Sequence, residues 1–103
     1  MPFVTVCSRS LEYERVAVTR ADRPTLVFLH EGLGSVAMWR DFPSRVAHAT
    51  NCNALVYSRY GYGNSEPLRE PRTVSYMHEE ALATLPELLD QLAIDRPILV
   101  GHS

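Results

Sequence analysis

Three short runs of almost entirely apolar residues divide the chain and mark the strands of a predicted sheet. They cover residues 25–30, 54–58 and 97–100. A strand that is apolar at nearly every position has both of its faces covered, which is typical of the interior of a parallel sheet. Before them, residues 3–7 and 13–19 have the pattern of two short strands around a polar turn, and they predict an opening hairpin.

Two segments between these strands carry apolar residues three or four positions apart, the spacing of one helix face. In the first segment, residues 36–50, that face holds Trp39, Phe42, Val46 and Ala49. Pro43 is expected to start or kink this helix. The second helix is expected to begin with Thr73 as its N-cap, to bend at Pro86 and to reach Leu92. A hairpin followed by alternating strands and helices predicts an α/β fold with parallel strands joined by crossover helices.

Composition and charge limit the classes of protein to which the chain could belong. Of its 103 residues, 46% are hydrophobic and 21% are charged, which predicts one folded domain over residues 1–103. The net charge is −2 and the ten basic residues are scattered, so no nucleic-acid surface is expected. No apolar segment has the length of a membrane span or a secretion signal, and a cytoplasmic protein is expected. Cys7 and Cys52 lack the spacing of a zinc site and are expected to be reduced and buried.

The candidate chemistry begins with Gly101-His102-Ser103, which directly follows the last predicted strand. These residues are the first three positions of the Gly-x-Ser-x-Gly nucleophile elbow, a tight turn that exposes a serine hydroxyl at the edge of a sheet. Taken alone, Gly-x-Ser after a strand is more often a helix N-cap. The assignment therefore depends on other turns of the sequence.

Two further glycine-containing turns follow the other apolar strands. They are His30-Glu31-Gly32-Leu33-Gly34 and Gly61-Tyr62-Gly63-Asn64-Ser65. Because the carboxyl ends of parallel strands lie at one edge of a sheet, all three turns are expected to meet there.

Together these turns resemble those of the α/β-hydrolase superfamily, along essentially the whole chain. Members carry His-Gly-x-x-Gly after the third strand, Asp-x-x-Gly-x-Gly-x-Ser after the fourth and Gly-x-Ser-x-Gly after the fifth. Here Glu31 replaces the first of those glycines and Ser58 replaces the aspartate. Neither position normally belongs to the catalytic triad, so the departures affect the subfamily rather than the chemistry. The resemblance implies the N-terminal half of an α/β-hydrolase fold.

The resemblance also implies roles for particular residues. Ser103 would be the nucleophile and the backbone N–H of Gly32 would bind the oxyanion, with Glu31 or Leu33 in that role if the loop is shifted by one residue. Trp39 and Tyr62 could line a substrate pocket, although burial against the sheet is favoured for Trp39. No cofactor and no metal is expected.

The expected activity is that of a cofactor-independent serine hydrolase acting through an acyl-enzyme on an ester, thioester or related carbonyl substrate. A carbon–carbon hydrolase, a lyase-like relative and a non-catalytic binding module remain as alternatives. A serine in place of aspartate at the elbow disfavours the dehalogenase and epoxide-hydrolase branches. The catalytic acid and histidine of this superfamily follow the nucleophile in the chain, so the 103 residues alone are expected to be inactive. The expected partners are a small-molecule substrate, the remainder of the same domain and, in a homo-oligomer, further copies of the chain.

Other titratable residues have simpler interpretations. His78-Glu79-Glu80 begins like a zinc-protease motif, but Leu82 stands where the second histidine ligand is required. His30 is expected to be buried and structural, whereas His102 adjoins Ser103 too closely to serve as its base.

Overall fold

The computed structural model describes residues 2–102, which form a five-stranded mixed sheet. Its strands are β1 (Phe3–Val6), β2 (Arg9–Val16), β3 (Thr25–Leu29), β4 (Ala54–Tyr57) and β5 (Pro97–Gly101). Their spatial order is β1-β2-β4-β3-β5. Strand β3 lies in the parallel part of the sheet and pairs with both β4 and β5, while β2 is antiparallel to β1 and to β4.

The opening hairpin is present, and its second strand is longer than predicted. Strand β2 begins at Arg9 rather than at residue 13, because Cys7 and Ser8 form a two-residue turn with φ angles of 50° and 67°. Positive φ at both positions matches the twist of a tight hairpin. Cys7 is therefore exposed, contrary to the prediction, whereas Cys52 is buried, and both thiols are free.

The first predicted helix is divided into two pieces. A 3₁₀ turn covers Ala37–Trp39, and helix α1 covers Phe42–Thr50. Arg40 between them has a φ of 54°, which interrupts the helical path, and Pro43 lies in the first turn of α1. The predicted apolar face is wrong in part, since α1 buries Pro43 and Ala47 while Ala49 is exposed.

The second predicted helix begins two residues later than expected and contains a wider turn. It consists of α2 (Tyr76–Glu79), a π-helical turn (Glu80–Thr84) and α3 (Leu85–Gln91). Ser75, rather than Thr73, precedes its first residue. Within the wider turn the Leu85 N–H donates to the Glu80 carbonyl. Pro86 follows at once and has no N–H, so the expected bend takes the form of a π-helical turn.

The parallel strands separate the core into two layers by simple alternation. Leu26, Phe28 and Val56 point to the face that packs against Ala47 of α1. The intervening side chains, which include Val27, Leu55 and Tyr57, point to the opposite face and pack against Leu88 of α3. Strands β3 and β4 are apolar throughout because a helix covers each of their faces.

Strand β5 is less covered than its neighbours. It lies at one edge of the sheet, and Ile98 and Leu99 are 46% and 51% exposed on its two faces. Val27, on the adjacent strand, is fully buried. The described helices therefore cover the centre of the sheet and leave this edge open.

Candidate active site

The carboxyl ends of β3, β4 and β5 lie side by side. Leu29 is paired in register with Tyr57 on one side and with Gly101 on the other. Just beyond the ladder, the His102 N–H donates to the Leu29 carbonyl at 3.3 Å. The strands therefore bring their following turns to one edge of the sheet, as predicted.

A cleft of about 230 Å³ lies at this edge, between the turn after β3, the 3₁₀ turn and the end of β5. It is lined by His30, Glu31, Gly34, Ser35, Met38, Trp39 and His102. Ser103, the predicted nucleophile, lies outside the described residues. Two of the three predicted turns thus contribute to the cleft, the one after β3 and, through His102, the one after β5, whereas the turn after β4 does not line it.

The turn after β3 leaves several backbone donors without acceptors. The Gly34 N–H donates to the Glu31 carbonyl at 3.0 Å and is thereby occupied. Within residues 2–102 the amides of Glu31, Gly32 and Leu33 donate no hydrogen bond. Gly32 is also exposed, and a Cβ added to it would meet nothing within 4 Å. The amides predicted to bind an oxyanion are therefore the ones that remain available to a ligand.

His30 connects this turn to the end of β4. The Arg59 N–H donates to Nε2 of His30 at 3.0 Å, so Nδ1 carries the proton that is donated to the Glu31 carbonyl at 2.7 Å. Burial lowers the pKa of His30 below its usual value, and the positive charge of Arg59 lowers it further, against the opposing effect of the Glu31 carbonyl. Both ring nitrogens of this buried, neutral imidazole are engaged, as its predicted structural role requires.

Trp39 forms one wall of the cleft and also belongs to the core. Its ring meets Phe28 edge-on at 5.3 Å and stacks on Phe42 at 6.0 Å. The same ring lies 6.1 Å from that of His102. Its Nε1 atom is buried and has no hydrogen-bond partner within residues 2–102. Trp39 is thus packed on the sheet and also faces the cleft, so the two interpretations of this residue are compatible.

Tyr62 is not brought to the same cleft as Trp39. Its ring meets that of His30 edge-on at 4.9 Å, but Tyr62 does not line the cleft. It lines a separate cavity together with Arg59. The two predicted pocket residues therefore belong to different cavities.

A buried carboxylate that the sequence did not reveal fixes the loops around this edge. Glu12 on β2 is only 2% exposed, and its Oε2 accepts hydrogen bonds from the Ser58 hydroxyl and the Asn64 N–H, both at 2.7 Å. The Ser58 Oγ in turn accepts the Val36 N–H at 2.8 Å. One carboxylate thus joins the hairpin, the turn after β4 and the segment that leads out of the candidate oxyanion turn.

Gly63 makes this arrangement sterically possible. Its φ is 53°, and a Cβ at this position would lie 2.1 Å from Glu12 Oε2 and 2.7 Å from Ser58 Oγ. The signal in the sequence was Ser58 itself. The resembled superfamily has an aspartate at this position, so a serine here leaves the nearby Asn64 amide without that carboxylate as an acceptor. Glu12 on β2 supplies the carboxylate instead.

In the part of the chain that the structure describes, no group of three or more His, Cys, Asp or Glu side chains could hold a metal ion. Over the same residues, no helix has the length and apolar character needed to cross a bilayer.

Comparison with known proteins adds a family match. The model of the alpha/beta hydrolase family matches residues 26–103, which include all three turns. No curated protein matches the chain significantly.

Solved structures reproduce the fold over nearly the whole chain. An enol-lactonase from Burkholderia xenovorans LB400 is 25% identical with a TM-score of 0.76, covering 99% of this chain and 37% of its own. A loop variant of the haloalkane dehalogenase DbeA from Bradyrhizobium elkanii is 26% identical, with a TM-score of 0.75 and coverages of 98% and 31%. An epoxide hydrolase from Vigna radiata has a TM-score of 0.75 at 21% identity, with coverages of 99% and 31%. The chain thus spans about a third of the length of these proteins.

Proposed function

Because the chain belongs to the alpha/beta hydrolase family, we propose that the protein containing it is a serine hydrolase whose nucleophile is Ser103. Its substrates are esters, thioesters or related carbonyl compounds, and the reaction passes through an acyl-enzyme. The chemistry needs no cofactor. The enol-lactonase among the similar structures is compatible with this proposal, since a lactone is a cyclic ester.

The observation that carries the proposal is that the turn after β3, which has unengaged amides, and the end of β5 border one cleft. Glu31 of that turn and His102, which precedes Ser103, line the cleft, and the next residue, Gly32, offers an N–H without an acceptor among the described residues. An acyl-transfer site needs this combination of a nucleophile and nearby donors, because negative charge develops on the carbonyl oxygen as the nucleophile attacks.

In the proposed mechanism the Ser103 hydroxyl loses its proton to a base and attacks the substrate carbonyl, while the Gly32 N–H stabilises the oxyanion. The alcohol or thiol then leaves with a proton, and water releases the acyl group from Ser103. His30 is not that base, because both of its ring nitrogens are engaged in hydrogen bonds to the backbone. The base and its supporting acid are contributed by other residues of the full-length protein.

The nucleophile is tested by labelling the full-length protein with a fluorophosphonate probe, which reacts covalently with activated serines. The parent protein should label at a single site, and Ser103→Ala should remove the label. The matched control is Ser75→Ala, since Ser75 is exposed and lies on the loop before α2. Labelling that persists in Ser103→Ala would refute the assignment.

The same experiment separates the alternatives. Labelled protein that fails to hydrolyse a panel of esters and thioesters would point to carbon–carbon bond cleavage by the same serine. A folded full-length protein that neither labels nor hydrolyses any of these substrates would indicate a non-catalytic binding module.

A further inference from the structure

A second cavity lies beside the cleft, between the loop that follows β4 and the helical segment that begins with α2. Its volume is about 180 Å³. Three arginines and three tyrosines contribute to its lining, namely Arg9, Arg59, Arg72, Tyr60, Tyr62 and Tyr76. We call it the arginine cavity. Its composition is unusual because three positive charges surround one small space.

Two of these arginines lack a carboxylate partner. Arg59 is half-buried; its Nη2 lies 3.4 Å from the Glu31 carbonyl and its Nη1 lies 3.6 Å from the Met77 sulfur. Its Nε is buried without a hydrogen-bond partner within residues 2–102. Arg72, at the exposed rim, donates to the Tyr60 carbonyl at 3.3 Å. Among the described residues neither guanidinium forms an ion pair.

The carboxylates that line the arginine cavity have other partners. Glu70 pairs with Arg9 at 3.2 Å. Glu80 accepts the Tyr57 hydroxyl at 2.5 Å, and burial raises the pKa of Glu80, which favours its neutral form. Glu79 accepts a hydrogen bond from the hydroxyl of Thr73 on the neighbouring loop. The charge of Arg59 acts on Glu80 and lowers its pKa against the effect of burial, but among the described residues no carboxylate forms an ion pair with Arg59 or Arg72.

The ring of Tyr62 contacts both of these guanidinium groups. The Cζ atoms of Arg59 and Arg72 lie 5.2 and 4.9 Å from the centre of its ring. Gly61 allows this approach, because a Cβ at its φ of 91° would lie 2.6 Å from Leu68 and 3.1 Å from Arg72 Nη2. Two guanidinium groups fixed in this way can donate several hydrogen bonds to a planar anion.

The arginine cavity and the cleft share a wall. Arg59 contacts the carbonyl of Glu31, and Tyr62 contacts the ring of His30. Both Glu31 and His30 line the cleft. The two spaces are therefore adjacent, and their linings touch at the Arg59–Glu31 and Tyr62–His30 contacts.

We propose that the arginine cavity binds a carboxylate group of the substrate through Arg59 and Arg72, so that the enzyme acts on small esters or lactones that carry a free carboxylate. The inference rests on the proposed serine hydrolase activity. The gain is electrostatic, because a half-buried guanidinium without a counter-ion is costly and a bound carboxylate offsets that cost.

The test compares two activated esters of nearly equal shape, mono-p-nitrophenyl glutarate and p-nitrophenyl valerate. They differ only in whether a carboxylate or a methyl group ends the acyl chain. For the full-length protein kcat/KM should be at least about tenfold higher for the glutarate ester, since a charge-assisted hydrogen bond contributes roughly a tenfold to hundredfold effect. Arg59→Gln and Arg72→Gln should each reduce that ratio about tenfold, mainly through KM.

Arg45→Gln is the matched control, because Arg45 is an exposed arginine on α1 that pairs with Asp41. It should leave the ratio unchanged. Arg72→Gln guards against misfolding, because Arg72 is exposed and its truncation removes no core contact. A parent protein that does not prefer the glutarate ester, or a ratio that survives both substitutions, would overturn the inference.

Binding of glutarate to the full-length Ser103→Ala variant, measured by calorimetry, separates this inference from the proposed function. Glutarate binding that weakens with salt and is lost on Arg59→Gln supports the carboxylate site in the arginine cavity. If, in addition, no ester is hydrolysed and no probe reacts, then only the proposed serine hydrolase activity is refuted. Hydrolysis of the valerate ester without glutarate binding would retain the hydrolase and reject the carboxylate site.

Discussion

His30 shows how a single buried side chain can fix the geometry of a site without taking part in its chemistry. Its two nitrogens accept from the Arg59 amide and donate to the Glu31 carbonyl, so the turn after β3 and the turn after β4 cannot move independently. A charged imidazole would have to donate from both nitrogens and would lose the Arg59 bond. The neutral form is therefore part of the folded structure.

This form predicts an acid-sensitive stability. The folded pKa of His30 lies below the ordinary value of 6.5, so the unfolded chain binds a proton more readily. The free energy of unfolding of the full-length protein should fall as the pH drops below about 6.5, with a contribution approaching 1.4 kcal/mol per pH unit. Urea titrations between pH 7.5 and 5 should show a smaller slope for His30→Gln than for the parent. An unchanged slope in that variant, with the exposed His48→Gln as control, would contradict the assignment.

Glu12 and Ser58 should behave as a coupled pair. Ser58→Asp places a second carboxylate beside a buried one and should destabilise the full-length protein by about 3 kcal/mol or more. Glu12→Gln alone should cost roughly 1–3 kcal/mol, because a neutral amide binds the Asn64 N–H less strongly. The double variant should be more stable than the sum of the two changes predicts, which urea unfolding can measure. Strict additivity would contradict the coupling, and Glu14→Gln, at an exposed position of β2, should be neutral.

Among the elements, the turn after β3 permits the sharpest test of the candidate oxyanion site. Gly32→Ala keeps the N–H and adds a Cβ where no atom lies within 4 Å, so kcat should change only a few-fold. Gly32→Pro removes the N–H and should lower kcat by about 10²–10³. Leu33→Pro is the matched comparison. If only that variant loses activity, then the donor is the neighbouring amide.

The strands were easier to predict than the helices, for a physical reason. The predicted ends of β3, β4 and β5 agree with the structure to within one residue. These strands carry apolar side chains on both faces, so hydrophobicity alone marks them. The helices cover only one face each, and they are interrupted by the positive φ of Arg40 and by the π-helical turn at Glu80–Thr84. An apolar repeat does not encode such interruptions.

Some parts of the candidate site could be predicted from the sequence and others could not. The turns at Gly32 and Gly61 could be placed at one edge, because the direction of parallel strands determines where their carboxyl ends lie. Glu12 could not be found in this way, since its partners follow it by 46 and 52 residues. The role of Arg59 depends on which carboxylates reach it, and a sequence does not contain that information before the chain folds.

At the scale of the whole molecule, the sheet matches the N-terminal part of an α/β-hydrolase fold, as the sequence predicted. Its uncovered surfaces predict how the 103-residue chain behaves when it is produced alone. Apolar side chains are exposed along β5 and the helical segment: Val74, Leu82, Ile98 and Leu99. Exposed apolar patches next to an open strand edge favour association.

We therefore expect the 103-residue polypeptide to form dimers or larger aggregates and to hydrolyse no ester above background. Sedimentation velocity would measure the first property and a p-nitrophenyl ester assay the second. A monomer that unfolds cooperatively would contradict this expectation, and so would measurable turnover that Ser103→Ala removes.

The position of Glu12 also affects the order in which the chain can mature during its synthesis. Its carboxylate leaves the ribosome 52 residues before the Asn64 amide that binds it. At roughly 5–20 residues per second, that delay is about 3–10 seconds. During this time the turn and the cross-strand hydrogen bonds of the hairpin can form. The Glu12 carboxylate, however, lies without its partners on a face of the hairpin that is buried in the complete fold. The hairpin must therefore wait for the glycine-rich turn after β4 before it can dock.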